Sequence, residues 1–310
     1  MVERKDCSKY MKGHRRGLTA VLLIILAAAV CLSGCENAAG RGMGSSSDGR
    51  EAPAVVDVSG TMEIEILDIG KADCTVIRSS GQVAVIDTGY KDTADTVMEY
   101  LNSQGVTRID HLILTHFDKD HVGGAADILD TYDIGTIYQP DYSADEEDSK
   151  PYRRYEEALQ ERGLNPVTVK DTLGVVMDDI VFTIYPPKKL EYEDDKDNNR
   201  SLVTTAEHGK VRLLFAGDAE EERIEEILVQ IADLDFDLLK VPHHGHMEKN
   251  SAEFFEAISP DYAVICADEE DAPDEEAVEA LQEAGTHVLV TGDGSVRCVS
   301  DGKELTVIQE

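Results

Sequence analysis

Basic residues are scarce in this chain of 310 residues: 29 Lys and Arg stand against 63 Asp and Glu, a formal net charge of −34. The imbalance grows beyond the first 34 residues, which hold six of the basic and two of the acidic side chains; residues 35–310 have 23 basic and 61 acidic side chains, a net charge near −38. A duplex-binding surface needs clustered Lys and Arg to neutralise phosphates, and no such cluster is visible in that part. The balance fits solubility and repulsion from anionic surfaces. Cysteine is also sparse. Cys74, Cys266 and Cys298 each lie inside an apolar run, so they read as small core residues and not as a disulfide framework. The longest apolar run, Leu18 to Val30, falls short of the roughly 20 residues a spanning helix needs. No internal repeat is present.

The flanks of that run are informative. Arg4, Lys5, Lys9, Lys12, Arg15 and Arg16 precede it, and it ends in Leu32-Ser33-Gly34-Cys35. A basic segment, an apolar core and small residues before a Cys resemble the bacterial lipobox, where cleavage precedes an acylated Cys. Residues 1–34 are therefore expected to be a lipoprotein signal peptide and Cys35 the lipid-bearing residue. This would hold the protein to the outer face of the cytoplasmic membrane without spanning it. Residues 35–60 are rich in Gly, Ser, Ala and Asp and read as a flexible tether. Residues 61–310 are long enough for one domain. Acidic runs at 145–148 and 191–197 read as solvated loops.

Within the domain, Met62 to Ile69 alternates apolar and polar residues, as a half-buried strand does. Cys74–Ile77 and Val83–Ile86 read as a hairpin around Ser79-Ser80-Gly81. Ala94, Val97, Met98 and Leu101 recur at helical spacing, predicting a helix over 93–103. Further strands are expected near 136–138, 179–185, 201–207, 211–215, 236–241, 263–266, 287–290, 295–299 and 304–308. Helices are expected at 152–162, 219–231, 252–258 and 275–284.

The densest chemistry is Leu112-Ile113-Leu114-Thr115-His116-Phe117-Asp118-Lys119-Asp120-His121, with Val122-Gly123-Gly124 opening a helix after it. An apolar strand stops at four metal-capable side chains in six residues. Asp87, Asp218 and His243 also follow strand ends, and loops after strands are where such architectures place their sites. Taken alone, Asp87 reads as an ordinary turn residue and Asp218 as a helix N-cap. Asp73 reads as a turn-stabilising residue. His246 reads as loop, and His111, His208 and His287 as structural or exposed.

Taken in order, these residues resemble the metallo-β-lactamase superfamily: a strand-end Asp (Asp87), a His-x-His-x-Asp-His cluster in which Asp118 replaces the second His, an Asp after Gly (Asp218) and a final His (His243). Within that superfamily the chain is similar to the hydrolase-like domain of ComEC-type competence proteins. That domain shares the His-x-Asp-x-Asp-His variant, a strand like Leu67-Asp68-Ile69-Gly70-Lys71-Ala72-Asp73, a segment like Asn198-Asn199-Arg200-Ser201-Leu202-Val203, and one like Lys240-Val241-Pro242-His243-His244-Gly245. The resemblance implies an α/β (α+β) chain folded as a four-layer αββα sandwich with the site on one edge. It implies two divalent metal ions, Zn²⁺ or Mn²⁺. His116 and Asp118 would hold one, Asp120, His121 and His243 the other, and Asp218 would bridge them. Asp87 would orient a ligand from behind. Asn198 stands near the position of an isolated His of the superfamily and makes a weak ligand. Asp271-Ala272-Pro273 lacks a His-Pro common in the subgroup.

The chemistry so implied is hydrolysis by a metal-bound hydroxide, with two metals stabilising attacking and leaving oxygens. Asp120 and His244 are the candidate catalytic residues, His244 as proton donor to a leaving group. Asp118 makes its metal position harder and more anionic, which favours Mn²⁺ more than an all-His site would. The expected substrate is a phosphodiester, and the charge favours a small or single-stranded one. A non-catalytic metal-binding or ligand-binding module of the same fold is the alternative, motivated by Asn198 and Ala272.

Overall fold

Alternating and helical patterns become two sheets and seven helices in the computed structural model, which describes residues 58, 60–142, 150–189, 191–192 and 197–309. The expected signal peptide, nearly all of the tether and the acidic run at 145–148 lie outside the described residues. Among the described residues no helix is long and apolar enough to cross a membrane.

The first half starts with antiparallel β1 (Met62–Ile66), β2 (Thr75–Ser79) and β3 (Gln82–Ile86). The β2–β3 turn puts Ser80 at φ 48° and Gly81 at φ 84°. Two successive left-handed residues give a hairpin turn whose twist matches the strands. Helix α1 (Ala94–Ser103) then crosses over to β4 (Arg108–Ile113), which lies parallel to β3. Helices α2 (Lys119–Val122) and α3 (Ala125–Thr131) lead to β5 (Asp133–Gln139), and α4 (Lys150–Arg162) leads to β6 (Val167–Thr168). The second half repeats the plan. Antiparallel β7 (Leu173–Met177), β8 (Ile180–Tyr185), β9 (Val203–His208) and β10 (Val211–Phe215) come first. Parallel strands come next, with α5 (Glu221–Gln230) before β11 (Leu238–Lys240), α6 (Ser251–Ile258) before β12 (Tyr262–Ile265), and α7 (Glu275–Glu283) before β13 (His287–Val290). The chain closes with β14 (Val296–Ser300) and β15 (Leu305–Gln309), which return to the first sheet beside β1. The sheet orders are β15-β14-β1-β2-β3-β4-β5-β6 and β13-β12-β11-β10-β9-β8-β7.

The two-residue strand period decides which side chains build which layer. In β10, Val211, Leu213 and Phe215 enter the core between the sheets, while Leu214 faces the helices with Ile224, Ile227 and Phe254. In β4, Ile113 enters the inter-sheet core, and Leu112 packs with Leu114, Val97, Leu101 and Ile128 under the first group of helices. Each fully buried side chain of this size contributes about 1.5–3 kcal/mol. The result is the expected order of helices, sheet, sheet, helices. Three apolar clusters mark the three junctions.

Strands β6 and β7 are not expected from the sequence. β7 is a sheet edge that buries Val175 and Met177 and leaves Val176 66% exposed, so its pattern is weak. The helix expected to open at Val122-Gly123-Gly124 is instead two pieces, with both glycines at the break. A Cβ on Gly123 would lie 2.2 Å from the Lys119 carbonyl oxygen and 2.6 Å from the Lys91 nitrogen; on Gly124 it would lie 2.4 Å from the Thr88 oxygen. The chain after the metal-capable cluster thus passes directly against the loop after β3. Parallel neighbours β3 and β4 end together, as do β10 and β11, so the loops carrying the candidate residues leave the sheets side by side.

Gly123→Ala should therefore cost about 1–3 kcal/mol, the usual cost of overpacking against rigid neighbours. That corresponds to a fall in Tm of about 2–4 °C per kcal/mol for a domain of this size. Thermal unfolding followed by circular dichroism checks it; an unchanged Tm would mean the loop yields easily.

Candidate metal centre

Asp87 anchors the site. It lies just beyond β3 in a left-handed conformation, φ 58°. Its Oδ1 accepts a hydrogen bond from the Thr115 N–H at 2.8 Å, and its Oδ2 accepts one from the Thr115 hydroxyl at 2.7 Å. The same Oδ2 lies 2.8 Å from His121 Nδ1. A carboxylate can only accept, so His121 keeps a proton on Nδ1, and Nε2 is the nitrogen it could offer to a cation. Thr88 adds a second hold: its N–H and its hydroxyl both donate to the His121 carbonyl oxygen, each at 2.8 Å.

The same logic fixes two more imidazoles. His116 Nδ1 lies 3.1 Å from Thr115 Oγ1, whose own proton is committed to Asp87, so Nδ1 is the donor. His244 Nδ1 donates to the Cys266 carbonyl oxygen at 2.8 Å. Three buried histidines are thus held by Nδ1, and the Nε2 atoms of all three are buried without a hydrogen-bond partner among the described residues.

Two of those nitrogens converge on one oxygen. Asp218 Oδ2 is 3.1 Å from His121 Nε2 and 3.1 Å from His244 Nε2. Asp120 Oδ2 is 3.4 Å from His244 Nε2. Asp120, His121, Asp218 and His244 form a set whose donor atoms all lie within 4.8 Å of one another. Asp218 comes directly after Gly217 beyond β10, and its N–H donates to Ser201 Oγ at 3.2 Å. Its Oδ1 is buried without a hydrogen bond among the described residues. Imidazole nitrogens and carboxylate oxygens at ligand spacing fit a divalent cation, which would take the place of the protons on those nitrogens. His116 sits beside this set, its ring centroid 4.0 Å from that of His121, and its Nε2 is 3.8 Å from Asp118 Oδ2. Asp118 itself is 43% exposed on its side chain.

Electrostatics point the same way. Burial, with the neighbouring His121, pushes His116 down to about 4, so it is a neutral donor. Burial also disfavours charge on His121 and His244, but Asp218 and the other carboxylates overcome it, lifting His121 well above its ordinary value and His244 to about 9. Burial resists ionisation of Asp120 and Asp218 as well. The adjacent His121 and His244 nevertheless hold both carboxyls below the usual range. The cluster therefore attracts positive charge, which in the absence of a cation falls on the imidazoles.

The structure departs from the sequence reading at the final histidine. The sequence groups His243 with Asp120 and His121 and sets His244 apart as a proton donor. In the structure it is His244 that reaches Asp120, His121 and Asp218. The cause is a turn in which His243, His244 and Gly245 take φ of 48°, 52° and 79°. This left-handed run turns His244 inward and points His243 toward Glu220 and Glu248. With Nδ1 donating to Cys266 and Nε2 in the cluster, His244 has no nitrogen left to protonate a leaving group. Asn198 also goes elsewhere: its Nδ2 donates to Glu220 Oε1 at 2.9 Å and lies 3.3 Å from His243 Nε2.

Asp73 and Lys240 belong to the site, although by sequence Asp73 reads as a turn residue and Lys240 has no role. Both are buried. The Lys240 ammonium pairs with Asp73 Oδ2 and lies 3.7 Å from Asp218 Oδ1. Asp73 is also 3.7 Å from His244 Nδ1 and 3.9 Å from His121 Nδ1. Burial opposes the charge on Lys240, but Asp73 drives its pKa above the ordinary lysine value. The available signal is a Lys inside the apolar run Leu238-Leu239-Lys240-Val241, since a lysine is almost never fully buried unless paired. Arg223 shows the same pattern on α5. It is fully buried and donates to the carbonyl oxygens of Ser201 and Tyr185 at 3.0 and 2.8 Å, tying α5 to the segment that supports Asp218. Cys74, Cys266 and Cys298 are buried free thiols, as expected.

Asp87→Asn keeps the shape but lets an amide face His121 Nδ1, which removes the preference for a free Nε2. Loss of such a supporting partner typically weakens metal affinity about 10–100-fold. Competition titration with a chromogenic chelator measures this; unchanged affinity would detach His121 from the metal centre.

Comparison with known proteins identifies the family. A family model described as the metallo-beta-lactamase superfamily matches residues 67–268. ComE operon protein 3 of Bacillus subtilis is 26% identical over 251 residues, covering 74% of this chain and 32% of the relative. Recombination protein 2 of Haemophilus influenzae is 28% identical over 210 residues, covering 66% of this chain and 24% of the relative. The chain thus spans about a third or less of the length of these curated relatives. Among solved structures, the metallo-beta-lactamase fold protein YhfI from Bacillus subtilis superposes with a TM-score of 0.51 at 9% identity, over 80% of this chain and all of that one, a likeness of fold. By its fold, by its clustered histidines and aspartates and by the family match, the chain belongs to the metallo-β-lactamase superfamily.

Proposed function

We propose that this chain is a metal-dependent hydrolase of phosphodiester bonds, anchored by lipid on Cys35 and working outside the cytoplasm. The observation that carries the hydrolase reading is the convergence of His121 Nε2, His244 Nε2 and Asp120 on Asp218, each nitrogen aimed by an Nδ1 partner. Two divalent cations, Zn²⁺ or Mn²⁺, suit the donors. Asp120, His121, Asp218 and His244 would hold one, and His116 and Asp118 would begin the other, with Asp218 shared as the family resemblance implies. When bound, such ions polarise a phosphoryl oxygen and lower the pKa of water.

The protein's own groups do the rest. Asp87 and the Cys266 carbonyl keep two imidazoles in the tautomer that presents Nε2. Asp120 lies at the margin of the buried cluster, 9% exposed, where an ionised carboxylate can accept a hydrogen bond from water and orient it. Lys240 holds Asp73 and Asp218 in place without entering the reaction. Asp118, on the open side, adds anionic character to the His116 position. The net charge of −34 disfavours long duplexes, so a small or single-stranded phosphodiester is the preferred substrate. The competence-type relatives support the nucleic-acid side of that choice. The lipobox-like Leu32-Ser33-Gly34-Cys35 supports the location.

Purified protein stripped with chelator should hydrolyse bis-p-nitrophenyl phosphate only after Zn²⁺ or Mn²⁺ is restored, and His121→Ala should lose both the metal of the buried centre and activity. Metal bound without hydrolysis of any ester or phosphodiester would favour a non-catalytic binding module; activity retained in His121→Ala would refute the site. Cys35→Ser should abolish incorporation of labelled fatty acid and move the protein from the membrane fraction to the soluble one; continued membrane association would point to another anchor.

A further inference from the structure

The left-handed turn that sends His244 inward leaves His243 facing a separate set of donors. His243 Nδ1 lies 3.7 Å from Glu220 Oε1 and 3.8 Å from Glu248 Oε1. This nitrogen is buried and has no hydrogen-bond partner among the described residues. The three side chains offer one nitrogen and two oxygens within 4.8 Å of one another, and none of the three belongs to the Asp120, His121, Asp218, His244 set. We propose that Glu220, His243 and Glu248 form a further site, peripheral to the buried two-cation centre, for a divalent cation, Zn²⁺ or Mn²⁺, that clamps the turn presenting His244.

The spacing supports a cation more than hydrogen bonds. At 3.7 and 3.8 Å the imidazole is too far from either carboxylate for an N–H···O bond. Two ligand atoms bound at about 2.1 Å with near-tetrahedral angles stand about 3.4 Å apart, so movements of a few tenths of an ångström close the set. One imidazole and two carboxylates suit Zn²⁺ or Mn²⁺ and are too few oxygens for a Ca²⁺ cage. A cation on Nδ1 places the imidazole proton on Nε2, beside Asn198. Asn198 Oδ1 is buried and without a hydrogen-bond partner among the described residues, and a turn of that amide brings it to Nε2–H while Glu220 exchanges the amide donor for the cation.

The three ligands come from different segments. Glu220 immediately precedes α5, His243 lies just beyond β11, and Glu248 precedes α6. A cation joining them would fix the turn at both flanks and hold His244 Nε2 at its 3.1 Å approach to Asp218. Glu248 is 23% exposed on its side chain, so the site opens to solvent and can load independently of the buried centre.

The test is metal binding to the intact purified chain with Zn²⁺ alone, read by equilibrium dialysis with elemental analysis, together with anomalous diffraction. Glu248→Gln should lose one equivalent of Zn²⁺, or bind it at least tenfold more weakly, while the metal lost in His121→Ala is retained. Zinc remaining in His121→Ala should fall by one equivalent when Glu248→Gln is added. Anomalous density in the unaltered protein should lie between Glu220, His243 and Glu248. No peak there, or unchanged stoichiometry in Glu248→Gln, overturns the proposal. Neither result depends on hydrolysis, so failure of the enzyme reading and failure of this one are separable.

Discussion

Four carboxylates packed side by side in a nearly dry edge of the sandwich are the constraint on which the rest of the structure depends. Asp73, Asp87, Asp120 and Asp218 are each at most 9% exposed. An unpaired ionised carboxylate in such a place costs several kcal/mol. Each therefore has a specific counterweight. Asp87 accepts from Thr115 twice and from His121. Asp73 is paired with the Lys240 ammonium, Asp120 with His244, and Asp218 with two imidazoles and, at longer range, Lys240. One lysine against four carboxylates leaves an excess of negative charge, which is what makes the pocket a place for cations.

The neutralising groups also orient the site. Every Nδ1 in the centre is tied to a group that fixes its proton: His121 to Asp87, His116 to Thr115, His244 to Cys266. Asp87, Thr115 and Cys266 lie one or two residues beyond β3, β4 and β12. The nitrogens that face the cluster are consequently set by hydrogen bonds on the far side of each ring, which is how a buried centre can be rigid without relying on contacts between its own ligands.

Much of this is legible in the chain. The strand ends at Asp87, Leu114, Phe215 and Val241 can be read from apolar runs that stop at polar knots, and the order of those knots carries the family. The αββα layering comes from the alternation in β4 and β10. Direction is the part that cannot be read. Whether His243 or His244 turns inward depends on three successive left-handed residues, and local sequence gives no preference for that conformation at a histidine. Asp73 looks like a turn residue because its partner, Lys240, lies far along the chain. β6 is only two residues long, and β7, although apolar as Leu173-Gly174-Val175-Val176-Met177, is a sheet edge that contains a glycine and exposes Val176, so neither shows the alternation that marks a strand.

The centre draws on both halves of the chain. Ser201, 85 residues beyond His116, supports Asp218 and lies 3.4 Å from His116 Nδ1, while His244 arrives later still. A polypeptide emerging in order would present His116 to His121 long before Asp218 and His244 exist to meet them. Capture of a cation by the full set would therefore follow docking of the two sheets, and a loaded centre would record that assembly has been completed.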